Sequence, residues 1–302
     1  MSAPRLSIVV IGFDMAREVP RTVASLLPPY QRGVAEGEIE IIVVDNGSTE
    51  PVMRDWFPAE APITLLRVDD GGVSPCIAIN RGVAEARAER IAVVIDGARM
   101  ASPGVAAAAL SAMDLHPDAF VATLGFHLGP KVQQVSVTEG YDRDVEDGLL
   151  AGIGWPADGY RLFEICALGE SYAHGVLRPP TETTFFVMSK ATYQRIGGYD
   201  ERFRQLGGGL AGFDFFERAV AAAGDAFVML VGEGTFHQLH YGATTQAGGV
   251  RREVEAGVSL GEAYGQEYEA ITGRGYSPVA TQPLLYGRLT HPATRRLFFP
   301  AE

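Results

Sequence analysis

Residues 91–104 read IAVVIDGARMASPG. Five apolar residues, Ile91 to Ile95, run straight into Asp96, and Gly97 follows at once. The run is short, β-branched and bounded by Gly and Pro, the pattern of a buried strand in a parallel sheet. Ligands of open α/β sheets collect beyond the carboxyl ends of the strands, where Asp96 is expected to stand. A carboxylate there can hold a ribose hydroxyl or a metal ion, or it can cap the following turn.

Working outward, LSIVVI (6–11) is expected to be a first strand ended by Gly12-Phe13-Asp14. Arg17 to Leu27 follows with helical spacing of Val19, Val23, Leu26 and Leu27. IEIIVV (39–44) is a second strand closed by Asp45-Asn46-Gly47-Ser48, and residues 63–68 a third. Pro75 to Ala88, carrying Asn80 and Arg81, reads as a helix. Four short apolar strands alternating with helices imply a doubly wound, mostly parallel α/β sheet. Two of the strands end in an aspartate, Asp45 and Asp96, which suits a ribose or base edge of a nucleotide. Neither G-x-G-x-x-G after the first strand nor G-x-x-x-x-G-K-[ST] anywhere occurs, which disfavours a dinucleotide site and a P-loop.

Further strands are expected at 120–124, 132–137, 182–189 and 226–231, and helices at 104–113, 141–151, 191–196 and 213–223. Gly207 to Gly209 form a loop able to approach a ligand closely. After the last strand, His237 and His240 lie three apart in what reads as a loop, whereas His116, His127 and His174 are scattered and His291 is in the tail. We divide the chain at 248/249, into a main 1–248 ligand-binding domain and a 249–302 helical and extended appendage. That appendage could cover the acceptor side, pack against a second subunit, or touch a membrane surface through Arg295, Arg296, Leu297, Phe298 and Phe299; alternatively it docks with its arginines solvated.

The 302 residues carry 47% hydrophobic side chains and a net charge of −12, which argues against a broad basic face for nucleic acid. The two cysteines, Cys76 and Cys166, form no C-x-x-C pattern. Reduced thiols and a cytoplasmic protein are expected. No signal-like N-terminus and no apolar run of the ~20 residues needed to span a bilayer is evident.

Four segments together resemble the family 2 glycosyltransferases, inverting enzymes of the A-type nucleotide-sugar fold: LSIVVIGFD, VVDNGS, VIDGARMASPG and GGYDERF. The resemblance covers about residues 5 to 245. It implies a nucleoside-diphosphate sugar donor and a hydroxyl acceptor on a glycan, lipid or small metabolite. It also implies nucleotide contacts from Gly12, Phe13, Asp14, Asp45, Asn46, Gly47, Asn80, Asp96, Gly97 and Arg99. A divalent cation, Mn²⁺ or Mg²⁺, would be held by Asp96 with His240 or His237. Two positions depart from the family pattern. The second Asp of D-x-D is Ala98, with Arg99 beside it as a possible diphosphate contact, and the usual acidic pair before the acceptor helix is Ala211-Gly212. Asp214 is then the leading candidate for the catalytic base and Glu182 the second. The rival readings are a catalytically weak or inactive nucleotide- or glycan-binding member of the same fold, and a nucleotidyltransferase, whose Gly-rich signature GFDMAR supplies poorly.

Overall fold

The computed structural model describes residues 3–300 apart from 179, 241, 244, 246, 247 and 256. Its strands are β1 (Leu6–Gly12), β2 (Ile39–Asp45), β3 (Ile63–Arg67), β4 (Arg90–Val94), β5 (Arg99–Ala101), β6 (Phe120–Leu128), β7 (Cys166–Leu168), β8 (Phe185–Ser189), β9 (Phe227–His237), β10 (Glu253–Glu255), β11 (Val258–Ser259) and β12 (Leu284–Gly287). Its helices are α1 (Glu18–Leu26), α2 (Cys76–Glu85), α3 (Val105–Leu115), α4 (Gln133–Ser136), α5 (Arg143–Gly152), α6 (Lys190–Arg195), α7 (Ala211–Ala223), α8 (Leu260–Thr272) and α9 (Thr294–Phe298).

The main sheet runs β12-β9-β6-β8-β4-β1-β2-β3, with β5 added to β9 and β7 to β6. Strands β3, β2, β1 and β4 are parallel; β8 is antiparallel to both β4 and β6. Every residue of β1 and β2 is buried, because helices cover both faces, and the two strands are apolar but for Ser7, the Glu40 to which it donates, and the terminal Asp45. One apolar cluster packs α2 and α7 on one face; the other packs α1 and α3 on the opposite face.

Register brings the ligand-facing strand ends together. Gly12 pairs with Asp45, and Val10 with Val94, so Asp96 lies two residues beyond the paired part of β4. The Gly97 amide donates to the Ile11 carbonyl at 2.6 Å. A Cβ at 97 would stand 2.6 Å from that same oxygen, so only glycine lets the turn after Asp96 close onto β1.

Two expectations are corrected. Residues 132–137 form no strand: α4 and a further helical turn occupy this stretch. Its alternating pattern misleads because the residues turned inward are polar, Gln133 and Ser136, three apart. β9 does not stop at Val231 but continues to His237, fully buried along its length, so the first of the two histidines ends a strand. In the tail Phe299, Leu284, Leu285 and Leu289 are exposed, while two other apolar residues turn inward. Leu297 is buried, and Phe298 packs against Phe126 and Phe163 in the core. Residues after 249 also supply β12 to the main sheet and the buried Tyr268 to the larger cluster. Among the described residues, no helix is long and apolar enough to cross a membrane.

Candidate active site

A cavity of about 900 Å³ opens at the carboxyl ends of β1, β2 and β4. Phe13, Asp14 and Asn46 border it on the β1/β2 side, and Gly207 to Gly209 with the start of α7 on another. All three glycines have positive φ, +71°, +86° and +55°, a backbone that side-chain-bearing residues rarely adopt. From α8, Glu267 accepts the amides of Arg204 and Gln205, and the Tyr264 hydroxyl donates to the Leu206 carbonyl, so this helix holds the glycine loop in place.

At the cavity floor Asp96, His237 and His240 converge. Asp96 Oδ1 accepts the Ala98 amide at 2.9 Å and so caps its turn, while Oδ2 lies 2.8 Å from His237 Nε2 and 3.2 Å from His240 Nε2. The two imidazole nitrogens are 3.0 Å apart. Gln238 sets this spacing from between the histidines. Its amide donates to the Ala98 carbonyl at 2.7 Å, and its side chain donates to the Glu18 carbonyl and Thr22. The Leu239 amide is held by the buried Glu146, itself paired with Arg17.

Gln133 fixes the protonation of His237. Its amide nitrogen donates to the His237 carbonyl, so its oxygen faces His237 Nδ1 at 2.6 Å and must accept from it. The Nδ1 proton leaves a lone pair on Nε2, aimed at Asp96 and His240. Burial, reinforced by the charge of Arg99, lowers His237 to about 4 and keeps it neutral. Burial alone would raise the Asp96 carboxyl, but His240 and His237 outweigh it and hold it well below the ordinary value. Burial likewise works against charging His240, yet Asp96 outweighs it and raises that imidazole. Three acceptor atoms thus face one point that a single proton on His240 must serve.

That geometry fits a divalent cation. Ligands about 2.1 Å from one ion and at right angles to each other lie about 3 Å apart, close to the separations found here. Two neutral imidazoles and a carboxylate suit Mn²⁺-like ions better than Mg²⁺, which prefers oxygen. The amide behind His237 is the outer partner that a ligating histidine normally needs.

Of the other residues expected at the site, Phe13, Asp14, Asn46, Arg99 and Glu182 line the cavity. Gly12, Asp45, Gly47, Asn80, Gly97 and Asp214 do not. Asp45 turns its oxygens to the amides of Ser48 and Val52 and to Arg67, at 2.8, 3.1 and 2.7 Å. Asn80 ties α2 to the backbone of Tyr199 and the hydroxyl of Tyr193. Asp214, in the first turn of α7, is gripped by Arg218 at 2.6 and 2.9 Å. Ala98 is fully buried. Glu182 accepts from the Ser171 hydroxyl at 2.7 Å. The sequence reading missed Gln133, which lay in a misread strand, and His127, which lines the cavity and has no local motif around it.

The model of the family described as Glycosyl transferase family 2 matches residues 7–139. No curated protein matches the chain. Among solved structures, the fold is similar to that of S. aureus TarS 1-349 in complex with UDP-GlcNAc, at 12% identity and TM-score 0.52, over 80% of this chain and 60% of that one. The mannosyltransferase PcManGT from Pyrobaculum calidifontis, in complex with GDP-Man and Mn²⁺, matches at 16% identity and TM-score 0.50, over 80% of this chain and 59% of that one. The chain thus spans about three fifths of the length of each. These likenesses establish the A-type, mostly parallel glycosyltransferase fold.

Proposed function

We propose that the chain is a glycosyltransferase that moves a sugar from a nucleoside-diphosphate donor to a hydroxyl acceptor with inversion. The observation that carries this reading is the convergence of Asp96 Oδ2, His237 Nε2 and His240 Nε2 at the floor of a cavity in a family 2 fold. Structures of similar fold hold UDP-GlcNAc or GDP-Man with Mn²⁺. A cation at this triad would offset the charge of the leaving diphosphate. The exposed ring of Phe13 and the Asp14 and Asn46 side chains border the part of the cavity suited to the nucleoside. Gln133 keeps the His237 lone pair directed at the triad.

Inversion needs a base at the acceptor hydroxyl. Glu182 fills that role better than Asp214: it lines the cavity and is bonded only to the neutral Ser171, whereas Asp214 does not line it and its Oδ2 is paired with the Arg218 guanidinium. The second reading, a binding protein without turnover, is favoured by one observation. Ala211 and Gly212 line the cavity where the acidic pair is expected, and neither carries a carboxylate.

Calorimetric titration with UDP, GDP and dTDP, each with and without Mn²⁺, tests the donor site. Metal-dependent binding of one supports the reading and names the donor class; failure of all three rejects it. Glu182→Gln then separates the two readings. In a transferase it keeps nucleotide affinity and loses about 10²- to 10⁴-fold in turnover. In a binding protein, wild type and variant show neither transfer nor donor hydrolysis.

A further inference from the structure

Strand register places Arg99, His237 and His127 side by side across three neighbouring strands: Arg99 pairs with His237 between β5 and β9, and His237 with His127 between β9 and β6. Directly paired residues share a face of a sheet, and all three line the cavity. Only the middle one belongs to the triad. His127 Nδ1 accepts the Gln133 amide at 2.8 Å, so the proton of this neutral ring is on Nε2, a free donor.

Arg99 is the charged member of this row. Its Nε is buried without a hydrogen bond, and no ion pair of its guanidinium occurs among the described residues. A chain with net charge −12 has carboxylates to spare, and Glu170 and Glu182 face the same cavity. They bond instead to Gln134 and Ser171. A half-buried guanidinium left unpaired costs stability, and an arriving oxyanion is what would relieve it. The charge of Arg99 is felt by both triad histidines and also by His127 on β6 and by Tyr172; in the sheet order β6 is separated by β8 and β4 from the β1/β2 edge that carries Phe13 and Asn46.

We infer that Arg99 and the His127 Nε2–H form an oxyanion subsite, for a carboxylate or phosphate carried by the transferred sugar or by the acceptor and not for the donor's diphosphate. The substrate class is thereby narrowed to an anionic one. The inference rests on the transferase reading for the identity of its ligand, but the subsite itself is measurable without a nucleotide. A planar guanidinium receives a carboxylate or phosphate through two parallel N–H bonds, and the imidazole N–H supplies a third donor from across the triad.

The test is titration of inorganic phosphate and of glucuronate into the protein, free and saturated with whichever nucleoside diphosphate and Mn²⁺ it accepts. Wild type is expected to bind both anions, with the nucleotide changing their affinity less than threefold. Arg99→Ala is expected to lose at least tenfold for the anions and far less for the nucleotide, Arg99→Lys to fall between, and His127→Phe to lose about threefold. Circular dichroism and an unchanged Mn²⁺ isotherm establish that the variants are folded. Displacement of phosphate by the nucleotide, or equal losses for both in Arg99→Ala, overturns the inference by assigning Arg99 to the diphosphate. Anion binding that is absent from wild type, or indifferent to Arg99, overturns it outright. If no nucleotide binds, the transferase reading fails while Arg99-dependent anion binding still upholds the subsite. The two sources separate in a last arm. A tenfold preference for the glucuronate over the glucose form of the accepted donor, lost in Arg99→Ala, places the anion on the donor sugar. Equal affinity for the two, with phosphate still binding to the nucleotide-saturated protein, places it on the acceptor.

Discussion

Asp45 and Asp96 look alike in the sequence, each ending a β-branched strand of the same parallel sheet and each followed closely by glycine. In the fold they do opposite work. Asp45 spends its oxygens on two amides and Arg67 and is closed within its own turn. Asp96 spends one oxygen on its turn and turns the other to two histidines more than 140 residues away, at separations |i−j| of 141 and 144. The difference lies in what the neighbouring strands deliver. β3 brings an arginine beside Asp45, while β9 brings His237 beside the turn of Asp96. A strand-end carboxylate becomes a ligand where the adjacent strand leaves it a lone pair and a matching donor set.

The sharpest way to break this comparison is to neutralise each acid in turn. Asp96→Asn is expected to weaken Mn²⁺ binding, measured by calorimetry, on the order of 100-fold or more, since a ligand is lost and not merely its outer support. Asp45→Asn is expected to leave Mn²⁺ affinity within about twofold and to lower unfolding free energy by about 1–3 kcal/mol, because buried amides lose a charged acceptor. Equal effects on Mn²⁺ would abolish the distinction.

Next in size is Gln133→Leu. It removes the acceptor that keeps the His237 proton on Nδ1, and a 10- to 100-fold loss of Mn²⁺ affinity is expected at pH 7. Unchanged affinity would show that the tautomer is set elsewhere.

Acidity sharpens the comparison further. His237 is lowered to about 4 in the fold. Between its ordinary value of about 6.5 and 4, the unfolded chain binds a proton that the folded one refuses, so stability falls as pH falls through that window. His240 acts in the other direction: its raised value stabilises the cation-free fold at low pH, and that contribution fades as pH rises through the raised value. A proton on His240 also competes with the ion, so Mn²⁺ binding should weaken as pH falls through that same value. Denaturant titrations from pH 7 to pH 4 should lose less stability in His237→Gln than in wild type. The Mn²⁺ profile should survive in Asp45→Asn.

The smallest expected effect belongs to Asp214→Asn. A partly exposed pair with Arg218 at i,i+4 contributes about 0.3–0.5 kcal/mol, and nucleotide and Mn²⁺ binding should not change. A loss of turnover comparable with that of Glu182→Gln would return the role of base to Asp214.

The alternation of apolar strands with helices made β1 to β4 legible: β1, β2 and most of β4 are buried on both faces and are mainly apolar, while the edge strand β3 is only partly covered. Asp96, His237 and His240 were legible as residues, since strand-end acids and paired histidines are uncommon against that background. What stayed hidden was polar and long-range. Gln133 is buried because its partner is the backbone and ring of His237, 104 positions on, and no local pattern encodes that. β5 is three residues long and exists only because β9 runs far enough to pair with it. His127 sits beside His237 through a register invisible in its own segment. Asp214 and Asn80 have the residue types of a site, but Asp214 pairs with Arg218 one turn along its own helix and Asn80 ties α2 to the backbone of Tyr199.

The aromatic floor beneath the triad has a consequence for synthesis. Phe236, next to His237, stacks on Phe126, and Phe163 and Phe298 complete that group. Phe298 lies in α9, so a growing chain can lay down every donor atom long before the ring that closes the floor leaves the ribosome. Ion capture should therefore be a late event in the life of the nascent chain, and a polypeptide ending ahead of residue 294 would emerge with its ligands encoded but its hearth unfinished.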